Sequence, residues 1–284
     1  MLFSGDIGQW GKPLIRDPSL FEQADYVVME STYGDRTHGE GGDVETQLSQ
    51  VINETIDRGG NVVIPTFAVE RSQELMYYIS RLVHDGRIPN VEVFLDSPMA
   101  VDVTDIFRQF RDCFDQETWQ LITSEEPPLR FPGLHLVRTV QESRAINRME
   151  SPCIIMASSG MCTAGRIKHH LRRNIERAES TIVFVGYQSH GTLGRQILDR
   201  KEQVRIHGRT YRVRAQVNQI YGFSGHADRS GLIRWLSHLG SPPRQVFLTH
   251  GDEEAAQSLA KHIREEMNWN VSVPEYQDAV DLND

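Results

Sequence analysis

Cys153-Ile154-Ile155-Met156-Ala157-Ser158-Ser159-Gly160-Met161 decides the fold class. Its first five residues are continuously apolar, which is what a strand covered on both faces needs. Ser158-Ser159-Gly160 breaks the run, and a helical period follows from about Ala164. Strand, loop and helix in that order are the rhythm of an α/β protein. The rhythm recurs in both directions along the chain. Further strands are expected at 25–29 (DYVVM), 61–64 (NVVI), 91–95 (VEVFL), 181–185 (TIVFV) and 245–249 (QVFLT). Val44, Leu48, Val51, Ile52 and Ile56 share one face of a helix that Gly59-Gly60 ends, and Leu75, Ile79, Leu82 and Val83 do the same before Gly86. The pattern predicts more helices at 101–110, 166–177, 229–239 and 253–266, a hairpin from 203–206 and 210–214 around His207-Gly208-Arg209, and a loop at 124–132. The stretch 1–6 reads as a strand with nothing upstream to pair it, so either it pairs with later segments or a natural beginning is missing.

The composition narrows the class. With 284 residues, 39% apolar and 24% charged, the chain has the make-up of about two globular domains, which excludes disorder, collagen and coiled coil. No stretch approaches the roughly 18 apolar residues of a membrane span, and residues 1–13 lack the features of a signal peptide, so the expectation is a soluble cytoplasmic protein with no membrane partner. Cys113, Cys153 and Cys162 are too few and too scattered for a disulfide framework, which leaves His, Asp and Glu to bind any metal. The net charge of −9 argues at first against a polyanionic partner. It is unevenly spread. Residues 166–214 hold twelve Lys or Arg against four Asp or Glu, a local +8 that leaves −17 for the rest. One basic segment on an acidic chain is a candidate nucleic-acid footprint, although the wet face of a helix and a hairpin would carry such charges as well.

Of the eleven histidines, His84, His135, His238 and His262 lie in ordinary amphipathic segments. Four short elements differ, because each places an acid or a His just past an apolar strand, where α/β layers gather ligands. They are Ser4-Gly5-Asp6, Met29-Glu30-Ser31-Thr32-Tyr33-Gly34-Asp35-Arg36, Gly222-Phe223-Ser224-Gly225-His226-Ala227-Asp228 and Leu248-Thr249-His250-Gly251-Asp252-Glu253. Helix capping alone would explain any one of them.

These four elements, in this order, resemble the motifs of the metallo-β-lactamase superfamily and specifically its β-CASP branch of nucleic-acid-processing enzymes. The likeness continues between them at Pro65 to Glu74, at Asp96-Ser97-Pro98-Met99-Ala100, at Ser158 to Met161 with Gly165-Arg166 and His169-His170, and at Val185 to Gln188 with Gly191 to Arg195. Among its members, it resembles bacterial and archaeal homologues of the endonuclease subunit of the cleavage and polyadenylation specificity factor. The resemblance implies the C-terminal part of an αββα sandwich at 1–35 and 218–284, with an inserted α/β β-CASP domain at 36–217. It implies that Asp6 and His250 are ligands of a two-zinc centre, and that Glu30 and His226 are a hydrogen-bonded acid and histidine pair. Two divalent ions can activate water and stabilise an in-line attack on phosphorus. A His held by a carboxylate suits protonation of the departing ribose oxygen. In this family a His at the position of His250 goes with RNA, so the expected activity is hydrolysis of single-stranded RNA. The alternatives are a non-catalytic RNA-binding subunit, a DNA-processing nuclease and a small-molecule hydrolase.

Two loops are candidates for phosphate contact: Ser158-Ser159-Gly160, whose amides precede a helix, and Ser224-Gly225 beside His226. Arg166, Lys168 and Arg172 are read as phosphate-contacting cations, and His169-His170 as part of an RNA-facing helix. The family takes most of its metal ligands from a His-x-His-x-Asp-His motif upstream of the residue matching Asp6, and that motif is absent from this sequence. The expectation is therefore a chain whose ligand set is incomplete, which alone binds zinc weakly, does not cut RNA, and aggregates or leans on a partner surface. A homodimer is possible, as among relatives.

Overall fold

The computed structural model describes all residues except 38–42, 108, 111–113, 115–118, 121–126 and 283–284. The expected helix position Arg108, the first three residues of the loop expected at 124–132, and Cys113 therefore fall outside the described residues. The chain forms two compact units, one of Met1–Lys12, Arg16–Gly39 and Gly225–Asp284, the other of Pro13–Ile15 and Glu40–Ser224.

The first unit begins with β1 (Leu2–Phe3) and β2 (Tyr26–Glu30), which pair in parallel with Leu2 opposite Val27. The opening strand thus finds its partner in a later segment, and the Ser4 N–H extends the pairing by donating to the Val28 carbonyl at 2.9 Å.

The second unit is a parallel α/β layer. In chain order it contains α1 (Val44–Asp57), β3 (Val62–Pro65), α2 (Arg71–His84), β4 (Glu92–Leu95), α3 (Pro98–Phe107), β5 (Leu134–Leu136), α4 (Val140–Ile146), β6 (Cys153–Ala157), α5 (Ile167–Asn174), β7 (Thr181–Phe184), α6 (Leu193–Leu198), β8 (Gln203–Ile206), β9 (Arg209–Arg212) and β10 (Gln216–Gln219). Six strands lie in the order β10-β7-β3-β6-β4-β5, all parallel, while β8 and β9 form the expected antiparallel hairpin. The central strands are apolar on both faces because apolar side chains cover both. Val62, Ile64, Ile154 and Met156 face one cluster with Leu48, Ile52, Leu75 and Ile79, and Val63, Ile155 and Ile182 face another with Ile167, Leu171 and Ile197.

Local chemistry sets the helix ends. The Asp43 carboxylate accepts from the Thr46 N–H at the start of α1, and Thr139 with Glu142 forms a reciprocal capping box on α4. α3 starts three residues earlier than the apolar period suggested, since Pro98 suits a first helical turn and Ser97 Oγ accepts from the Ala100 N–H at 3.3 Å. Between α1 and β3, a Cβ on Gly60 would lie 1.9 Å from the Glu179 carbonyl oxygen and 2.6 Å from the Ser180 nitrogen. Backbone cannot step aside as a flexible side chain can. Gly60→Ala is expected to cost about 1–3 kcal/mol, read as a lower urea midpoint; an unchanged midpoint would mean that the turn at Glu179 yields freely.

The chain returns to the first unit with α7 (Arg229–Leu236), β11 (Gln245–Thr249), α8 (Glu253–His262), a π-turn at Ile263–Met267 and β12 (Val271–Ser272). Its sheet has the order β1-β2-β11-β12, again parallel, with Glu30 opposite Thr249. Val27, Met29, Leu232, Leu236, Val246, Leu248 and Leu259 form its core.

Candidate active site

Four of the residues singled out in the sequence meet at the carboxyl ends of β1, β2 and β11 in the first unit. Glu30 is the last residue of β2 and is buried. Its Oε1 accepts from the Ile7 N–H at 2.5 Å, and its Oε2 lies 2.9 Å from His226 Nδ1. A carboxylate is acceptor-only when ionised, so Nδ1 is the donor and Nε2 is the ring nitrogen left for chemistry. The loops are fastened to the same point, with the Glu30 N–H donating to Ser4 Oγ at 3.2 Å and the Ala227 N–H to the Ile7 carbonyl at 2.7 Å.

His250 follows β11 with a positive φ of 51°, a conformation that ordinary side chains rarely adopt. Thr32 Oγ1 holds its carbonyl at 2.9 Å, and a Cβ on the following Gly251 would meet Ser31 Oγ at 2.5 Å. The turn is thus packed against the segment after β2, and the ring comes forward so that Nδ1 is 3.2 Å from Asp6 Oδ1. Both side chains are exposed. Asp6, His226 and His250 each offer an atom within 4.8 Å of the others, and they are the one such group of three among the described residues. A carboxylate and two imidazoles suit zinc, and three protein ligands are what one catalytic zinc takes. A second ion would need donors beyond these three.

The remaining singled-out residues lie in the second unit and are not part of this cluster. Ser158, Ser159 and Gly160 follow β6, and the loop takes up part of its own hydrogen-bonding capacity. The Ser159 N–H donates to the Ala164 carbonyl, the Cys162 N–H to the Ser159 carbonyl, the Ile167 N–H to the Ser158 carbonyl, and the Ala164 N–H to Ser159 Oγ. Ser158 Oγ donates to Ser97 Oγ at 3.1 Å, and Gly160 receives Gln188 Nε2 on its carbonyl at 3.1 Å. Ser224 is buried at the end of the unit.

The reading of His169-His170 as RNA-facing needs correction at its second residue. His170 is fully buried, with Nε2 2.6 Å from Asp96 Oδ2. Only His169 is exposed, its ring tilted against that of His207 with centroids 4.8 Å apart, and burial together with neighbouring positive groups holds both of these histidines below the ordinary imidazole range. Arg166 is also engaged, donating to Asp96 Oδ1 at 2.7 Å and to the carbonyls of Val137 and Arg138. Arg172 and Arg173 keep exposed positions.

Asp96 itself escaped the site reasoning. It is fully buried at the end of β4 and accepts from Arg166, His170 and, at 2.5 Å, from Ser143 Oγ. Burial pushes its carboxyl up, but the hydrogen bonds and charges of His170, Ser143 and Arg166 outweigh burial and hold it below the ordinary carboxylate range. Its signal was an acid directly after an apolar strand, the same signal that marked Glu30.

Comparison with known proteins gives the chain its relatives. Residues 72–197 match the family described as the Beta-Casp domain, and residues 210–274 match the Zn-dependent metallo-hydrolase RNA specificity domain. A ribonuclease of Thermus thermophilus, TTHA0252, is 40% identical over 92% of this chain and 59% of its own length. The transcription termination factor FttA of Methanosarcina mazei is 32% identical over 93% of this chain and 42% of its own, and that of Methanocaldococcus jannaschii is 32% identical over 99% and 45%. The chain thus spans between about two fifths and three fifths of the length of these relatives.

Proposed function

Since the chain belongs to the β-CASP branch of the metallo-β-lactamase superfamily, we propose that it carries part of the active site of a zinc-dependent ribonuclease that hydrolyses phosphodiester bonds of single-stranded RNA. The observation that carries the reading is the juxtaposition in one unit of the Asp6 and His250 donors with His226, whose Nδ1 is held by the buried Glu30. Zinc, when bound, supplies Lewis acidity and a more acidic water. Asp6 and His250 are the residues that would hold it, and a dinuclear centre takes further donors. His226, oriented by Glu30, presents Nε2 as the acid for the departing ribose oxygen. Glu30 in turn is oriented by the Ile7 N–H. RNA is supported as the substrate class by the family matched at residues 210–274 and by a relative named as a ribonuclease. The cytoplasmic setting read from the few, scattered cysteines is part of this proposal.

The test has one readout in metal and one in chemistry. Zinc affinity of the chain is measured by competition with a chromophoric chelator for wild type, Asp6→Asn and His250→Ala, beside cleavage of a fluorescent single-stranded RNA. Each substitution is expected to weaken zinc binding by at least tenfold. Wild-type zinc affinity in both variants would remove Asp6 and His250 as ligands, and an enzyme with the complete ligand set, replete with zinc, that leaves RNA intact would remove the ribonuclease reading.

A further inference from the structure

Three neighbouring strands of the six-stranded sheet are each followed by an exposed ring. Tyr221 stands two residues beyond the end of β10, Tyr187 three beyond β7, and Phe67 two beyond β3. They are 54%, 37% and 46% exposed. The strands are adjacent in the order β10-β7-β3 and run in parallel, so the topology brings all three rings to one edge, on strands spaced about 4.8 Å apart. The next strand, β6, delivers Ser158-Ser159-Gly160 to the same edge. A Cβ on Gly160 would come 2.8 Å from the Phe67 ring, so the ring lies directly on glycine backbone while nearly half of the residue faces water.

Scattered apolar side chains on a surface need no explanation, but a ring on each of three successive strands is a pattern. The carboxyl edge of a parallel sheet is also where α/β layers take their ligands. The unit buries other rings well, with Tyr78 packed edge-on against both Tyr77 and Phe223 at 5.4 Å, so its sequence does not lack interior sites for aromatics. Polar residues share this edge with the rings, Gln219 before Tyr221 and Ser158-Ser159 after β6, and Val69 and Met99 are exposed there as well. α5 and α6 start from this edge too and bring Lys168 and Arg195, the latter paired with Asp199 at 2.9 Å, both members of the segment with twelve cations against four acids. Planar faces for bases and positive charge for phosphates are what single-stranded nucleic acid requires of a surface.

We propose that Tyr221, Tyr187 and Phe67 form a stacking platform for successive bases of single-stranded RNA, a sequence-tolerant grip supplied by the Glu40–Ser224 unit. The proposal rests on the RNA reading above and assigns part of the affinity to these rings.

The experiment measures binding rather than cleavage. Fluorescence anisotropy of the whole chain with a short labelled oligoadenylate is run in EDTA, beside an abasic strand of the same length, for wild type, Phe67→Leu, Tyr187→Leu and the ring-preserving Tyr187→Phe. Each Leu variant is expected to raise Kd for oligoadenylate by roughly five- to a hundredfold, with little change for the abasic strand, while Tyr187→Phe stays near wild type. Tight wild-type binding that the Leu variants share would overturn the platform and leave the RNA reading standing. Equal losses on the abasic strand would overturn it as well, because the rings would then act through something other than bases. If the wild type binds no RNA at all, the platform falls together with the reading on which it rests.

Discussion

Replacing His226 by Ala is expected to slow RNA cleavage by roughly 10² to 10⁴ in a zinc-replete preparation that cuts RNA, while leaving its zinc content nearly unchanged. The loss is large because a proton donor is removed from the departing oxygen, and the metal stays because Asp6 and His250 still face each other at 3.2 Å. His226 also lies within ligating distance of both residues, so the geometry alone admits a ligand role. What favours the acid role is the buried Glu30 on Nδ1, which fixes the ring and leaves Nε2 free for chemistry. Glu30→Gln discriminates further, since it keeps the shape and removes the charge. It is expected to lower the cleavage rate and to move the alkaline limb of its pH profile, where a general acid loses its proton, to lower pH with zinc retained. Loss of an equivalent of zinc from His226→Ala would make the residue a ligand and end its assignment as the acid.

The Glu30 and His226 pair was reached through the family's motifs rather than through local pattern, because the two residues are 196 positions apart in sequence. Local pattern did reach the strands. β6 and β11 have the limits that their apolar runs suggested, and β2, β3, β4 and β7 differ from theirs by a residue at one end or both. Strands with ordinary or polar composition stayed hidden. β10 reads Gln-Val-Asn-Gln and lies at the sheet edge, and β5 lies at the opposite edge with an exposed His135, so neither needs the continuous apolarity that gives a central strand away. α4 was legible in principle from its Thr139 to Glu142 spacing, but seven residues carry little helical period. The Asp96 cluster was out of reach for the same reason as Glu30 and His226. Its partners Ser143, Arg166 and His170 lie 47, 70 and 74 positions away, and only the closing of the sheet brings them to one carboxylate.

Asp96 yields the largest expected effect on stability. Three donors from α4, α5 and the residue before α5 converge on a carboxylate with no exposure to water, so Asp96→Ala leaves the buried His170 Nε2 without its acceptor and strips Arg166 of its charged partner, leaving it two backbone carbonyls. Removing one partner of a buried ionic cluster costs about 3–5 kcal/mol, and urea unfolding followed by circular dichroism reads it. The pH dependence identifies the cause. Because the folded-state carboxyl is held below its ordinary value, Asp96 contributes its full stabilisation above the ordinary carboxylate pKa and loses it as pH falls through the lower folded value. The stability gap between wild type and variant should therefore be constant from neutral pH down to about pH 4 and narrow only below it. Asp96→Asn should recover part of the gap at neutral pH, since the amide oxygen can still accept one hydrogen bond, and none of its pH dependence. A gap below about 1 kcal/mol would give the cluster no more weight than a surface ion pair. A gap that stays constant into strong acid would mean that the carboxylate charge is not what joins β4 to α4 and α5.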